Sequence, residues 1–140
     1  MAYWLLKSEP DVWSYADQAK KGANGDAWTG VRNFQARKNL MAMTKGDRAF
    51  FYHTGDEKAV AGIVEVLRES YPDPTAKKDE PWMVVDVKAI EAMPKPVALE
   101  AIRKEPKLKD MVLVHNARLS VQPVTDAEWK LVCRMGGLKS

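Results

Sequence analysis

The sequence is short of cysteine, histidine and long apolar runs, and each shortage excludes a class of protein. Its 140 residues contain one cysteine, Cys133, and two histidines, His53 and His115. A lone cysteine forms no internal disulfide and, with no second thiol nearby, no zinc site, which implies a reducing compartment: the cytoplasm, or the nucleus in a eukaryotic cell. Cys133 also continues the helical apolar spacing Trp129, Val132, Cys133, so it reads as a small buried hydrophobe rather than a nucleophile. The longest apolar runs, Met1 to Leu6 and Ala59 to Val64, are six residues long, against roughly 20 for a membrane-spanning helix. No membrane partner is expected. The first run lacks a basic flank before it and is too short for the core of a secretory signal, so the mature chain is expected to begin at Met1.

The nucleotide and hydrolase templates are missing as well: no Gly-x-Gly-x-x-Gly, no phosphate loop ending in Gly-Lys-Ser/Thr, no His-Glu-x-x-His, no Gly-x-Ser-x-Gly. Two histidines without metal-ligand spacing leave no metal and no cofactor to expect. What is present is an ordinary globular composition, 46% hydrophobic and 29% charged, with 22 Lys and Arg against 19 Asp and Glu. That supports one compact domain spanning residues 1–140.

Charge is uneven along the chain. Lys20 to Arg48 holds seven basic and two acidic residues, Thr54 to Glu100 six and ten, and Ala101 to Ser140 eight and four. Such asymmetry admits a polyanionic partner. Arg37, Lys38, Lys45 and Arg48 are the candidate phosphate contacts, with solvated helix charge as the plainer reading.

Ala2 to Lys7 reads as a buried strand closed by Pro10. The spacing Val12, Ala16, Ala19 predicts a helix ending near Lys21-Gly22. Gly22 to Gly30 is a glycine-rich loop that nonetheless carries Trp28. Asn33 is the expected N-cap of a helix with Ala36, Leu40 and Met43 on one face, stopped by Lys45-Gly46. Asp47 to His53, Ala59 to Glu69 and Trp82 to Ile90 alternate with a period of two, predicting an antiparallel sheet with one wet face and a long loop over Tyr71 to Pro81. Pro96 suits the first turn of a short helix through Ala98, Leu99 and Ile102. Met111 to Val114 is a small apolar run, and Arg118 to Val121 a possible strand. Thr125 and Glu128 have capping-box spacing before a last helix ending at Gly136-Gly137. This order predicts an α+β domain whose curved antiparallel sheet closes into a small barrel flanked by helices.

Trp28, Gly30, Val31, Arg32 and Asn33 bring an aromatic plate, a flexible backbone, a planar cation and an amide to one loop-to-helix junction. An extruded nucleobase needs a π-face to stack on and polar groups for its edge, and these residue types supply both. Ser8, Glu9, Tyr52 and His53 add walls if their strands are neighbours. The bland alternative is that Trp28 plugs the core while Arg32 pairs with a carboxylate such as Glu9.

The blocks Tyr3–Pro10, Trp28–Asn33, Ala36-Arg37, Gly46-Asp47, Phe51–His53 and Arg118–Pro123 resemble, in order, the signature of the EVE domain family. That resemblance implies a PUA-like bent antiparallel β-barrel with flanking helices, akin to YTH and ASCH domains. It implies a non-enzymatic module, expected as a monomer, whose partner is DNA or RNA carrying a modified base such as methylated or hydroxymethylated cytosine. Its pocket would be lined by Ser8 and Glu9 from the first strand, by Trp28, Val31, Arg32 and Asn33, by Tyr52 and His53, and by Arg118 with Ser120. The competing expectation is an enzyme acting on a nucleobase-like or nucleotide substrate in the same cleft, through Glu9 or His53.

Overall fold

The computed structural model describes residues 1–138. In chain order its elements are β1 (Tyr3–Ser8), α1 (Tyr15–Lys20), β2 (Asp26–Ala27), α2 (Phe34–Ala42), β3 (Arg48–His53), β4 (Ala59–Pro72), β5 (Met83–Ala98), α3 (Leu99–Lys104), α4 (Val112–His115), β6 (Val121–Val124) and α5 (Asp126–Met135). The strands form one sheet in the order β2-β5-β4-β3-β1-β6. This is the expected α+β arrangement with flanking helices, with two corrections. The sheet is mixed rather than wholly antiparallel, because β1 runs parallel to β3. It is also open: β2 and β6 lie at its two edges and do not pair with each other. A parallel neighbour needs a crossover of a dozen residues or more. The segment between β1 and β3, carrying α1, β2 and α2, supplies it and thereby folds residues 9–47 over one face.

Adjacent side chains on β1 and β3 serve opposite faces. Leu6 and Phe51 pack with Trp4, Tyr15, Trp28, Leu40 and Val64. Leu5, Phe50 and Tyr52 pack with Ile63, Ile102, Leu113, Trp129 and Val132. Trp129 of α5 stacks between Tyr3 and Phe50, with ring centroids 4.3 and 3.9 Å away. The expected wet face is therefore absent from β3, where Ala49 through His53 are all buried, and survives on β4 and β5, where Glu65, Asp86 and Lys88 are partly exposed.

The long hairpin β4–β5 is bent rather than flat, with four shifts of register. One explains a further correction. Pro96 lies within β5, not in a helix, because pairing jumps from Gly62↔Ala92 to Val60↔Val97 and leaves residues 93–96 without a β4 partner. A proline that cannot donate to the ladder is tolerated in such a bulge. Helix α3 accordingly begins later, at Leu99. Met111 to Val114 mostly forms α4, and the late strand starts at Val121 instead of Arg118.

Helix α1 is set by a capping box, in which the Ser14 hydroxyl accepts from the Asp17 amide and the Asp17 carboxylate from the Ser14 amide. Its buried face is Tyr15 and Gln18, whereas Val12 lies outside the helix and is 77% exposed. The capping residues, not the alanine spacing, thus decide where the helix begins. The Asn33 side chain caps α2 by accepting from the Ala36 amide at 2.9 Å.

Candidate functional site

A cavity of about 460 Å³ opens where β1 ends, bounded by Lys7, Ser8 and Glu9, by Val12 and Trp13, and by the segment Asp26 to Thr29. The volume lies within the roughly 300–1,000 Å³ typical of small-molecule sites. Two indoles line it, and both are held from behind. The Glu9 carbonyl accepts from the amides of Val12 and Trp13 at 3.0 and 2.9 Å, and the Ser8 hydroxyl donates to the Trp13 carbonyl. The Trp13 indole N–H donates to Gln18 Oε1 at 3.0 Å. Gln18, fully buried, passes that restraint to the sheet through its amide bond to the Val87 carbonyl, also 3.0 Å.

Trp28 is anchored by its own amide on the Val85 carbonyl at 2.8 Å. Its ring meets Phe51 edge-on at 5.3 Å. Although Trp28 is only 7% exposed, it lines the cavity. It is thus packed in the core and at the border of a cavity at once. Its indole N–H has no protein acceptor among the described residues, yet the sealed unpartnered polar atoms are Arg48 Nε and Gln122 Oε1 alone.

The polar lining is mixed in sign. Glu9, Asp26, Ser8, Thr29 and Lys7 are its polar lining residues, although the Glu9 carboxylate reaches Gly55 and the Lys7 ammonium turns to the Ala117 carbonyl at 2.6 Å. Lys21 lies 3.6 Å from Asp26 and 5.9 Å from the Trp13 ring centroid. Such a set offers acceptors to the N–H groups of a base edge and cations toward phosphates at the rim.

Of the ten expected base contacts, only Ser8, Glu9 and Trp28 line this cavity. Val31 is buried in the core. Arg32 donates to Asp73 Oδ2 at 3.0 Å and to the Thr75 hydroxyl at 3.3 Å, and its guanidinium lies 5.8 Å from the Trp82 ring centroid. Asn33 is spent on the α2 cap. Those two residues do not converge with Trp28, because Asp73, at the start of the loop after β4, draws the Arg32 side chain away. Tyr52 faces the opposite side of the sheet and a second cavity. His53 is engaged at both ring nitrogens, with the Tyr15 amide on Nε2 at 3.0 Å and Glu57 against Nδ1 at 2.6 Å. It anchors the start of α1. Arg118 is exposed and Ser120 pairs through its carbonyl with the Lys7 amide; neither lines the cavity.

The four candidate phosphate contacts are likewise elsewhere. Arg48 pairs with Tyr3 at the far end of β1, roughly 17 Å from the Ser8 end at the rise of a strand, and lies 3.8 Å from Glu65. Arg37 donates to the Pro81 carbonyl at 2.7 Å. Lys38 and Lys45 are exposed, and neither lines the cavity. Sequence reading missed Lys7, Val12, Trp13, Asp26, Ala27 and Thr29. Trp13 alone carried a signal, an indole directly after a Pro-bounded strand.

Asp73, which holds Arg32, carries a strongly shifted carboxyl. Burial alone would raise its carboxyl, but hydrogen bonds from Thr75, the Gly30 amide and Arg32 hold it at about 2. On the other face, burial and the neighbouring Glu91 push the Cys133 thiol up to about 11, which keeps it an inert hydrophobe. No group of His, Cys, Asp and Glu with metal-binding geometry occurs among the described residues, nor any helix long and apolar enough to cross a membrane.

A family model described as the EVE domain matches residues 2–135. Human thymocyte nuclear protein 1 is 34% identical over 162 residues, covering 94% of this chain and 72% of that protein. Among solved structures, a protein from Agrobacterium tumefaciens superposes with a TM-score of 0.96 at 54% identity, over 99% of this chain and 94% of its own. The human THYN1 protein in complex with DNA containing 5-methylcytosine superposes at 0.90 with 33% identity, each chain covered in full. A yeast YTH domain, from Zygosaccharomyces rouxii, shares the fold at a TM-score of 0.60 and 18% identity, over 99% of this chain and 88% of its own, consistent with a PUA-like architecture.

Proposed function

The chain belongs to the EVE domain family, and from that premise we propose that it acts as a single, monomeric, non-enzymatic domain that holds a modified nucleobase of DNA or RNA in the Trp13–Trp28 cavity. The observation that carries this reading is the pairing of two anchored indoles with two acidic residues, Glu9 and Asp26, in the lining of one open cavity. Carboxylates repel the phosphate backbone but accept from an exocyclic amine such as that of cytosine. The site therefore favours a base edge inside and phosphates outside. The human relative's complex with 5-methylcytosine DNA supports cytosine as the base.

Stacking on an aromatic is worth about 1–3 kcal/mol per base, while extruding a base from a duplex costs a few kcal/mol. The terms nearly cancel, so phosphate contacts at the rim must supply much of the affinity. One buried methyl adds only about 0.8 kcal/mol. Strong selectivity for the modified base then requires that the unmodified one leave a polar group unpaired or a gap unfilled.

Fluorescence anisotropy with oligonucleotides carrying cytosine, 5-methylcytosine or 5-hydroxymethylcytosine tests the reading. The modified strands should bind more tightly, and Trp13→Ala should abolish the preference. Equal affinity for all three, or a Trp13→Ala variant that binds like wild type, would refute it. An enzymatic role predicts instead that modified nucleosides are chemically changed on incubation and that Glu9→Gln stops the change. His53 cannot share such a role in this conformation, since both its nitrogens are occupied.

A further inference from the structure

The second cavity, on the opposite face of β1, has a different chemistry. It encloses about 230 Å³ between Lys7, Tyr52, Thr54, Gly55, Lys58, Leu99, Arg103, Leu113 and Ala117. Three of these are cations and none is an acid. The carboxylates nearby are committed elsewhere: Glu57 to His53 at 2.6 Å and Glu100 to Lys104 at 2.9 Å. Glu9 is the exception: it lines the first cavity, but its carboxylate lies against Gly55 at the edge of this one, so a single acid borders the three cations. Lys7, Lys58 and Arg103 form no ion pair among the described residues.

The buried floor is also polar and open. Tyr52 is 4% exposed, and its hydroxyl has no protein partner among the described residues. Burial raises the phenol while the Arg103 charge pulls it back, which places the two groups within each other's field. The Lys7 ammonium donates to the Ala117 carbonyl at 2.6 Å and lies 5.8 Å from the Tyr52 ring centroid. Its partial burial lowers its proton affinity, a cost that an adjacent anion would offset.

We infer that this cavity is a phosphate site, in which Lys7, Lys58 and Arg103 surround an oxyanion and the Tyr52 hydroxyl donates to it. Compact cations and a guanidinium around a small polar hollow suit a tetrahedral anion with several acceptor oxygens. Lys7 lines both cavities, so a strand whose base occupied the first would pass a phosphodiester near the second. That assignment to a strand rests on the base-binding reading; the anion site itself does not.

The test is an amide NMR titration of the full chain with inorganic phosphate, with chloride at matched ionic strength as control. Wild type should show saturable shifts at Thr54, Gly55 and Lys58 that chloride does not reproduce. The double variant Lys58→Asn, Arg103→Gln should bind phosphate at least about tenfold more weakly, because two charge-assisted contacts are lost. Both residues are exposed, and Asn is tolerated at the positive φ of 46° that Lys58 adopts, so the variant should fold. Tyr52→Phe, which removes one hydroxyl, provides a second measure and should weaken phosphate alone.

If the double variant also loses affinity for a 5-methylcytosine oligonucleotide, the oxyanion comes from the strand. Unchanged oligonucleotide affinity assigns the site to free phosphate. Shifts that chloride reproduces, or a double variant that titrates like wild type, overturn the inference. Failure of oligonucleotide binding in wild type would sink the base-binding reading while leaving the phosphate titration to decide this one.

Discussion

Arg32 and Asp73 tie the loop carrying Trp28 to the turn after β4: Arg32 Nη1 lies 3.0 Å from Asp73 Oδ2, and the same oxygen accepts from the Gly30 amide at 3.0 Å. The Asp73 side chain is wholly buried, whereas that of Arg32 is 37% exposed. Removing the two partners should therefore cost different amounts. Arg32→Ala leaves Asp73 with Thr75 and Gly30 and should cost about 1 kcal/mol; Asp73→Ala orphans four donors at once, on Gly30, Arg32 and Thr75, and should cost about 3 kcal/mol. Denaturant unfolding of both variants checks the order, and equal losses would show that the pair carries no asymmetry.

The acid limb of stability should report Asp73. Its folded value of about 2 lies below the ordinary carboxyl range, so it stabilises the fold above the unfolded value, and that contribution is lost as pH falls from about 4 to about 2, amounting to about 2 kcal/mol. Asp73→Asn should flatten this segment of the curve. At the alkaline end Tyr15, pushed up to about 12 mainly by burial, acts with the opposite sign: its contribution is complete below pH 10 and is lost as pH rises toward 12.

The two cavity indoles should separate packing from binding. Trp28→Ala removes a ring packed edge-on against Phe51 and should cost about 3–5 kcal/mol. Trp13 is only partly buried and should cost far less, while its loss removes a stacking surface. Comparing melting temperature with oligonucleotide affinity for each variant distinguishes them. A Trp13→Ala protein as unstable as Trp28→Ala would mean that both indoles are chiefly structural.

The His53 ring should be found as the Nδ1-protonated tautomer. The Tyr15 amide donates to Nε2, which must then carry a lone pair, and the remaining proton points from Nδ1 to Glu57. Nitrogen-detected NMR of the ring reads this directly. His53→Phe keeps the ring's shape but orphans the Tyr15 amide, with an expected loss of about 1–3 kcal/mol.

Oligonucleotide affinity should fall steeply with salt. Each neutralised phosphate contributes a slope of about −0.9 in log affinity against log salt for a duplex, and about −0.7 for a single strand. Contacts from Lys7 and one more rim cation would bring the slope near −2. A flat titration would contradict a binding mode driven by the backbone.

The elements most legible beforehand were those whose signals are local. The Asn33 cap and the Thr125–Glu128 capping box depend on residues within a few positions of one another, and each stands where expected, whereas α2 stops at Ala42, short of the expected Lys45-Gly46. The three central strands were visible in their period of two. The two faces of β1 and β3 were not, because Leu5-Leu6 and Phe50-Phe51 are apolar at consecutive positions and only the helices packed on either side show that both faces are covered. Pro96 misled because a bulge absorbs it, and a bulge is a property of two strands in register.

By itself the sequence determined a globular α+β chain with few reactive thiols or imidazoles, and a family membership spread over ordered blocks. Tertiary structure alone decided which residues meet. Arg32 and Asn33 stand four and five positions after Trp28, yet the first is drawn to Asp73, 41 residues away, and the second is used by its own helix. Trp13, fifteen positions before Trp28, reaches the same cavity instead. A side chain goes to the partner that best satisfies its charge or hydrogen bonds, and in a folded chain that partner is set by strand order rather than by distance along the sequence.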